Sequence, residues 1–221
     1  MRIFLGVTGA SGAPYAERLL RALVAADCEV GLSASRSGIE VIATELYRDP
    51  SITREEVLER FVGAAGSNVT VYGESDFKSP YASGSARVDG YVVCPCSMAT
   101  VGTLASGAMQ NLIHRAASVA LKERRKLVLV PRETPLSSIH LRGLATLNEA
   151  GAVILFAAPG FYHAPETIDD LVDFLVARCL DQLGIENVLA KRWGESCLTR
   201  RGGCRPTRCA GCSTASPRST T

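Results

Sequence analysis

The chain opens Met1-Arg2-Ile3-Phe4-Leu5-Gly6-Val7-Thr8-Gly9-Ala10-Ser11-Gly12-Ala13-Pro14: a short apolar run, a glycine-punctuated turn, and a proline where a helix would begin. A buried strand over residues 2–7 that feeds a helix from residue 13 is half of a βα unit, and the rest of the chain repeats that alternation. The apolar runs predict strands over residues 2–7, 29–34, 69–72, 90–94, 127–130 and 152–156. Helical spacing predicts helices over residues 13–26, 36–47, 54–61, 97–107, 111–124, 138–150 and 166–183. Ile168, Leu171, Val172, Leu175, Val176, Cys179, Leu180 and Leu183 repeat at three and four residues, giving the last helix one apolar face. Alternating strands and helices make a doubly wound parallel sheet, a three-layer α/β/α arrangement whose ligands bind outside the carboxyl ends of the strands.

Composition bounds the remaining possibilities. A length of 221 residues with 47% hydrophobic content suits one α/β domain plus an appendage and is too short for two full domains. The net charge of +2 is uneven, because residues 197–221 carry five arginines and no acid. Residues 1–196 therefore hold 19 basic against 22 acidic side chains, which argues against nucleic-acid binding as the main function. No apolar run approaches the ~18 residues of a membrane helix; the longest, residues 151–161, is broken by glycine and proline. The apolar stretch after Arg2 is shorter than the ~7 residues of a minimal signal-peptide core, so the expected compartment is cytoplasmic.

Cys28, Cys94, Cys96 and Cys179 sit in apolar segments while Cys197, Cys204, Cys209 and Cys212 crowd the end of the chain, a distribution unlike a disulfide framework. Cys209 and Cys212 make only one C-x2-C pair, which disfavours zinc. After Trp193 large apolar side chains almost vanish, so the expectation is one folded domain over residues 1–195 and a disordered basic tail over 196–221.

Three loops at strand ends could carry chemistry. Thr8-Gly9-Ala10-Ser11-Gly12 either cradles a phosphate or flavin or is a plain strand-to-helix turn. It departs from G-x-G-x-x-G, and the second strand ends in Ser33-Ala34-Ser35-Arg36 without the acid that grips an NAD ribose. A phosphate held by Ser35 and Arg36 fits better. In Cys94-Pro95-Cys96-Ser97-Met98-Ala99-Thr100, Ser97 and Thr100 either cap a helix or donate to an anion, while both cysteines read as small buried hydrophobes. The fully apolar run before Pro131 delivers Arg132 and Glu133 together to the ligand edge, as a cation beside a proton-exchanging carboxylate or as a plain salt bridge.

Other candidates are ambiguous by position. Arg115, Lys122 and Arg178 lie on helices and would by default be solvated, Arg178 within i+3 reach of Asp181. Glu45 ends a helix whose dipole disfavours an acid there. Tyr162 either binds an anion or covers the core, and His114, His140 and His163 share no metal-ligand spacing, so no metal is assigned.

In combination, Gly9-Ala10-Ser11-Gly12, Cys94-Pro95-Cys96-Ser97, Ala120-Leu121-Lys122-Glu123-Arg124-Arg125, Pro131-Arg132-Glu133-Thr134-Pro135 and Pro159-Gly160-Phe161-Tyr162 resemble the UbiX-like flavin prenyltransferases of the flavin-binding decarboxylase superfamily. The resemblance spans roughly residues 1–195. It implies a flavodoxin-like (Rossmann-like) fold and transfer of a dimethylallyl group from dimethylallyl phosphate to N5 and C6 of reduced FMN, making prenylated FMN for a UbiD-like decarboxylase. It implies a homo-oligomer, commonly a dodecamer, and no metal. Position by position, it implies FMN binding by Gly9, Ala10, Ser11, Ser35, Ser97, Met98, Ala99, Thr100 and Arg132. It implies prenyl-phosphate binding by Tyr162 and Arg178, with Lys122, Glu133, Ser83 and Arg115 completing the pocket across subunit contacts. It further implies catalytic roles for Ser11 and Glu45 near the reacting flavin, for Glu133 as a candidate proton acceptor and for Trp193 as an aromatic residue closing the site, and the implied roles replace the solvated reading of Lys122 and Arg178. The alternatives are an FMN-dependent cysteine-type decarboxylase, whose Pro-Ala-Ser-Ala-Asn-Thr motif is absent here, and the FMN-binding small subunit of a hydroxyarylic acid decarboxylase complex.

Overall fold

The computed structural model describes residues 1–66, 68–190 and 192. Six strands, β1 (Arg2–Val7), β2 (Glu29–Ala34), β3 (Val69–Val71), β4 (Gly90–Cys96), β5 (Lys126–Pro131) and β6 (Val153–Ile154), pair in parallel in the order β3-β2-β1-β4-β5-β6. Setting aside the three-residue edge strand β3, the remaining five follow the flavodoxin order 2-1-3-4-5. The helices are α1 (Ala13–Ala25), α2 (Arg36–Leu46), α3 (Arg54–Gly63), α4 (Met98–Ala105), α5 (Leu112–Lys122), α6 (Ser138–Glu149) and α7 (Ile168–Leu183).

Alternation along each strand builds two cores. Ile3, Leu5 and Val7 of β1, Val92 and Cys94 of β4, and Val128 and Val130 of β5 face α1, α2, α3 and α7. Phe4, Tyr91, Val93, Cys96, Leu127 and Leu129 face α4, α5 and α6 on the other side. Strands buried on both faces read as continuous apolar runs, which is why the sequence shows no polar alternation in them. Together these layers form the three-layer α/β/α arrangement, and residues 1–190 form one compact unit. The expected domain boundary after residue 195 and the tail beyond it lie outside the described residues.

Element ends differ from expectation for identifiable reasons. Helices α4, α5 and α7 begin at residues 98, 112 and 168 because Ser97, Asn111 and Thr167 are extended N-caps whose side chains accept the amides of Thr100, His114 and Asp170. Strand β4 runs on through Pro95 to Cys96, with an irregular register between Val93 and Cys96. Only Val153 and Ile154 of the run 152–156 form ladder pairs, although Leu155 N–H still donates to Leu129 O at 2.8 Å. A 3₁₀ turn, Pro80–Ala82, was not anticipated. It buries Tyr81 against Phe4, ring centroids 5.2 Å apart, over Gly31, where any side chain would collide with the Tyr81 ring.

Candidate active site at the carboxyl edge of the sheet

Between β1 and β4 the winding reverses, so the loops leaving these strands diverge and open a crevice. A cavity of about 280 Å³ lies there, lined by Thr8, Gly9, Ser35, Ser37, Ser97, Ala99, Thr100, Thr103, Gln110, Asn111 and His114. Six of these are hydroxyl residues and none is a carboxylate, so the lining favours an anion or a polyol over a cation. Ser35 caps α2, accepting from Gly38 N–H at 3.0 Å, and Ser97 caps α4, accepting from Thr100 N–H at 3.2 Å. Two helix N-termini, each with free first-turn amides, therefore face one cavity.

The walls are held by bonds between neighbouring loops. Thr8 Oγ1 donates to Pro95 O at 3.0 Å and accepts from Ser97 N–H at 2.7 Å, tying the end of β1 to the start of α4. A Cβ on Gly9 would collide with Ser37 Cβ, so only glycine lets the β1 turn lie this close to α2. Ser97 is thus both a cap and part of the cavity wall, so the two readings of that serine do not exclude each other.

The turn after β1 behaves differently from the expected cradle. Glu45 Oε2 accepts from Gly12 N–H at 2.9 Å and Ala13 N–H at 2.8 Å, so the anion at the α1 N-terminus is the protein's own carboxylate. This resolves the apparent misfit of an acid at the end of α2: its charge serves the opposite, positive end of a neighbouring helix. Gly12, at φ 137°, makes the turn that presents its amide. Ser11 is exposed on this turn and Ala10 is buried beside it.

Arg36 also departs from expectation. Its side chain is 90% exposed and pairs with Glu40 at 3.4 Å, and it is not part of the cavity lining. Arg132 follows Pro131, which pairs with Cys96 across β4 and β5, so Arg132 emerges next to Ser97 at the sheet edge. Its Nε is buried without a hydrogen-bond partner, a donor left available. Glu133, beside it and half-buried, accepts from Thr134 N–H at 3.1 Å and makes no salt bridge among the described residues.

The remaining candidates fall in two groups away from the cavity. Tyr162 packs edge-on against Phe174 of α7 at 5.7 Å, and Arg178 stands one turn further along the same helix, paired with Asp181 at 2.9 Å. The second group surrounds the loop after the 3₁₀ turn. Arg115 Nε donates to Ala82 O at 2.9 Å, Ser83 and Ser85 hydroxyls share a bond at 2.9 Å, and Lys122 pairs with Glu123. Trp193 lies outside the described residues. Met98 is buried while Ala99 opens onto the cavity.

Both cysteines of the C-x-C stretch are buried as small hydrophobes, and desolvation pushes the Cys96 thiol up to about 12 and the Cys94 thiol well above its ordinary value, leaving both unreactive. Of the cavity lining, Ser37, Thr103, Gln110, Asn111 and His114 were not expected from sequence as site residues, whereas Thr8 belongs to the loop that was. The available signals were the Ser-x-Ser spacing of Ser35 and Ser37 and the cap position of Asn111 before an apolar helix.

The Flavoprotein family model matches residues 1–180. The flavin prenyltransferase UbiX of Pseudomonas aeruginosa is 51% identical over 201 residues, 89% of this chain and 96% of that protein. The chain belongs to the flavin prenyltransferase family. Among solved structures of similar proteins, AnUbiX (PadA1) in complex with FMN and dimethylallyl pyrophosphate superposes with a TM-score of 0.77 at 39% identity, covering 88% of this chain and 98% of that one. A dodecameric FMN-dependent UbiX-like decarboxylase from Escherichia coli O157:H7 gives the same TM-score at 40% identity, covering 88% of this chain and all of that one. The flavodoxin-like fold and UbiX-like membership expected from the sequence are therefore both correct. No described helix is long and apolar enough to cross a membrane.

Proposed function

We propose that this chain is a flavin prenyltransferase that moves a dimethylallyl group from dimethylallyl phosphate to N5 and C6 of reduced FMN. The observation that carries this reading is 51% identity over 89% of the chain to a flavin prenyltransferase. Two features of the site fit FMN: a hydroxyl-lined cavity free of carboxylates at two helix N-termini, and a buried, unpartnered Nε on Arg132, which follows β5 at the same sheet edge as Ser97. Bound reduced FMN supplies the electron-rich ring that accepts the prenyl group.

In this reading Gly9, Ala10, Ser11, Ser35, Ser97, Met98, Ala99, Thr100 and Arg132 bind FMN, its phosphate against the first turns of α2 and α4. Tyr162 and Arg178 hold the phosphate of the prenyl donor. Their phenol and guanidinium stabilise negative charge as the carbon–oxygen bond breaks. Arg178 then trades part of its exposed pair with Asp181 for the phosphate. Ser83, Arg115 and Lys122 cluster apart from the cavity within one chain, so they serve the site of a neighbouring copy in a homo-oligomer, which the dodecameric relative supports.

As the second bond forms at C6 the prenyl double bond is consumed, and Glu133 would take up the proton lost from C6 while the other carbon of that double bond gains one. Two backbone bonds to Oε2 hold the Glu45 carboxylate in place, and in this reading Oε1 serves the chemistry near Ser11. Trp193 supplies an aromatic wall for the allylic group. The product passes to a UbiD-like decarboxylase in the cytoplasm.

Anaerobic incubation of the protein with reduced FMN and dimethylallyl phosphate, followed by mass spectrometry of the extracted flavin, tests this. A gain of one prenyl unit is expected, and its loss in Glu133→Gln and Arg178→Ala. Unchanged flavin in protein that has bound FMN overturns the transferase reading in favour of a passive flavin-carrying subunit or a decarboxylase.

A further inference from the structure

His114 is the one ionisable side chain in the lining of the hydroxyl-rich cavity. It is 5% exposed, at the third position of α5, and its Nδ1 accepts from Gln110 N–H at 3.3 Å. An accepting Nδ1 places the neutral ring's proton on Nε2, and among the described residues the ring's hydrogen bond is the one at Nδ1. The cavity is therefore offered one N–H donor that a proton would turn into a cation, among neutral hydroxyls and helix amides.

We infer that His114 is an anion-binding residue of the cavity that becomes imidazolium as the phosphate of FMN enters. This rests on the FMN reading of the site given above.

Of the surrounding charges, the guanidinium of Arg132, at the end of β5 next to Ser97, is a permanent cation at the same sheet edge and takes up no proton, and Glu133 follows it there, bonded to Thr134 N–H. On α5 itself, Arg115 turns to Ala82 O and Met109 Sδ, and Lys122 sits at the opposite end, paired with Glu123. Glu74, whose carbonyl accepts from Leu112 N–H at 2.7 Å, has its carboxylate 3.6 Å from Arg54. Arg36 of α2 pairs with Glu40 in solvent, and α4 carries no ionisable side chain. Arg2 of β1, Glu29 of β2 and Lys126 of β5 lie at the amino ends of their strands, opposite the cavity. Tyr81, Tyr91, Cys94 and Cys96, on the remaining elements packed against α5, are held neutral by burial.

Burial lowers the affinity of His114 for a proton below its ordinary value, so before an anion binds the ring is neutral at pH 7. A phosphate dianion reverses that preference, and binding then takes up a proton. For one linked proton, affinity falls as pH rises above neutrality, by at most about tenfold per unit.

Isothermal titration of the full chain with FMN at pH 7.5, in two non-phosphate buffers of different ionisation enthalpy, reads that proton directly. Uptake approaching one proton per FMN is expected for the native chain. Uptake near zero, with FMN still bound, is expected for His114→Gln, which keeps a donor without the charge. Equal uptake in the two proteins, or none in the native one, overturns the assignment. Should His114→Gln fail to fold, the native chain still decides. With three histidines in the sequence, NMR titration follows the His114 ring, whose pKa must rise on FMN addition and must not rise with riboflavin, which lacks the phosphate. An unmoved His114 pKa in the FMN complex contradicts the inference alone, whereas failure to bind FMN at any pH overturns the reading of the site itself.

Discussion

Helix α1 and helices α2 and α4 start within the same cluster of loops, yet their N-termini are closed in opposite ways. At α1 the carboxylate of Glu45 takes the amides of Gly12 and Ala13. At α2 and α4 the caps are the neutral hydroxyls of Ser35 and Ser97, which satisfy one amide each. A helix N-terminus attracts one anion. Where the protein supplies its own, the position is structural or catalytic; where it supplies only hydroxyls, the field remains for a ligand. The cavity lines the second kind.

Removing the resident carboxylate breaks that comparison most severely. Glu45→Ala leaves two amides without their charged acceptor and should cost about 2–4 kcal/mol of folding stability, measured by urea denaturation. Glu45→Gln, which keeps an acceptor oxygen, should lose markedly less. Equal stability of Glu45→Ala and the native chain would mean that α1 does not depend on this carboxylate.

The reverse experiment makes α4 resemble α1. Ser97→Asp preserves a cap and adds a charge that the helix dipole welcomes, so stability should hold or rise by up to about 1 kcal/mol. The same carboxylate repels a phosphate within a few ångströms, and FMN affinity should drop by about thirtyfold, on the order of 2 kcal/mol, read by flavin fluorescence. Stability and binding moving together would show that Ser97 acts only as a cap.

The smallest effect concerns acid. Asp170 at the start of α7 accepts from Glu166 N–H and Thr167 N–H, and these bonds hold its carboxyl below the ordinary carboxylate range. A carboxylate with a depressed folded pKa contributes stability that is complete above the unfolded value and lost as pH falls through the folded one. Thermal unfolding between pH 5 and 2 should therefore show a steeper acid decline in the native chain than in Asp170→Asn. The hydroxyl caps of α2 and α4 contribute no such slope.

The fold was largely legible because its strands are continuous apolar runs and its helices are amphipathic, signals that reside within each segment. Element ends shifted by one or two residues where a cap residue counted as helix from its neighbours' spacing, as at Ser97 and Asn111. The stretch 73–89 has no period of either kind, so the burial of Tyr81 beneath the sheet left no local trace. Strand-end loops bring Gly9, Ser35, Ser97 and Thr100 to one cavity because a parallel sheet places all of them on one edge.

What sequence could not reveal was pairing across distance. Glu45 reaches amides more than thirty residues away, and its position on α2 looked unfavourable only because the partner helix was unseen. His114 looked like an isolated histidine without metal spacing, and only the approach of α5 to the β1 and α2 loops brings it to the cavity. Ser83, Arg115 and Lys122 are brought near one another but not to that cavity, which is why their roles turn on a second copy of the chain.

A crystal structure of the FMN complex tests the central contrast most directly. The account predicts the phosphate between the N-termini of α2 and α4, bonded to Ser35, Ser97 and Thr100, with Glu45 still on Gly12 and Ala13. A phosphate seated on the Gly12 and Ala13 amides, with Glu45 displaced, would contradict it.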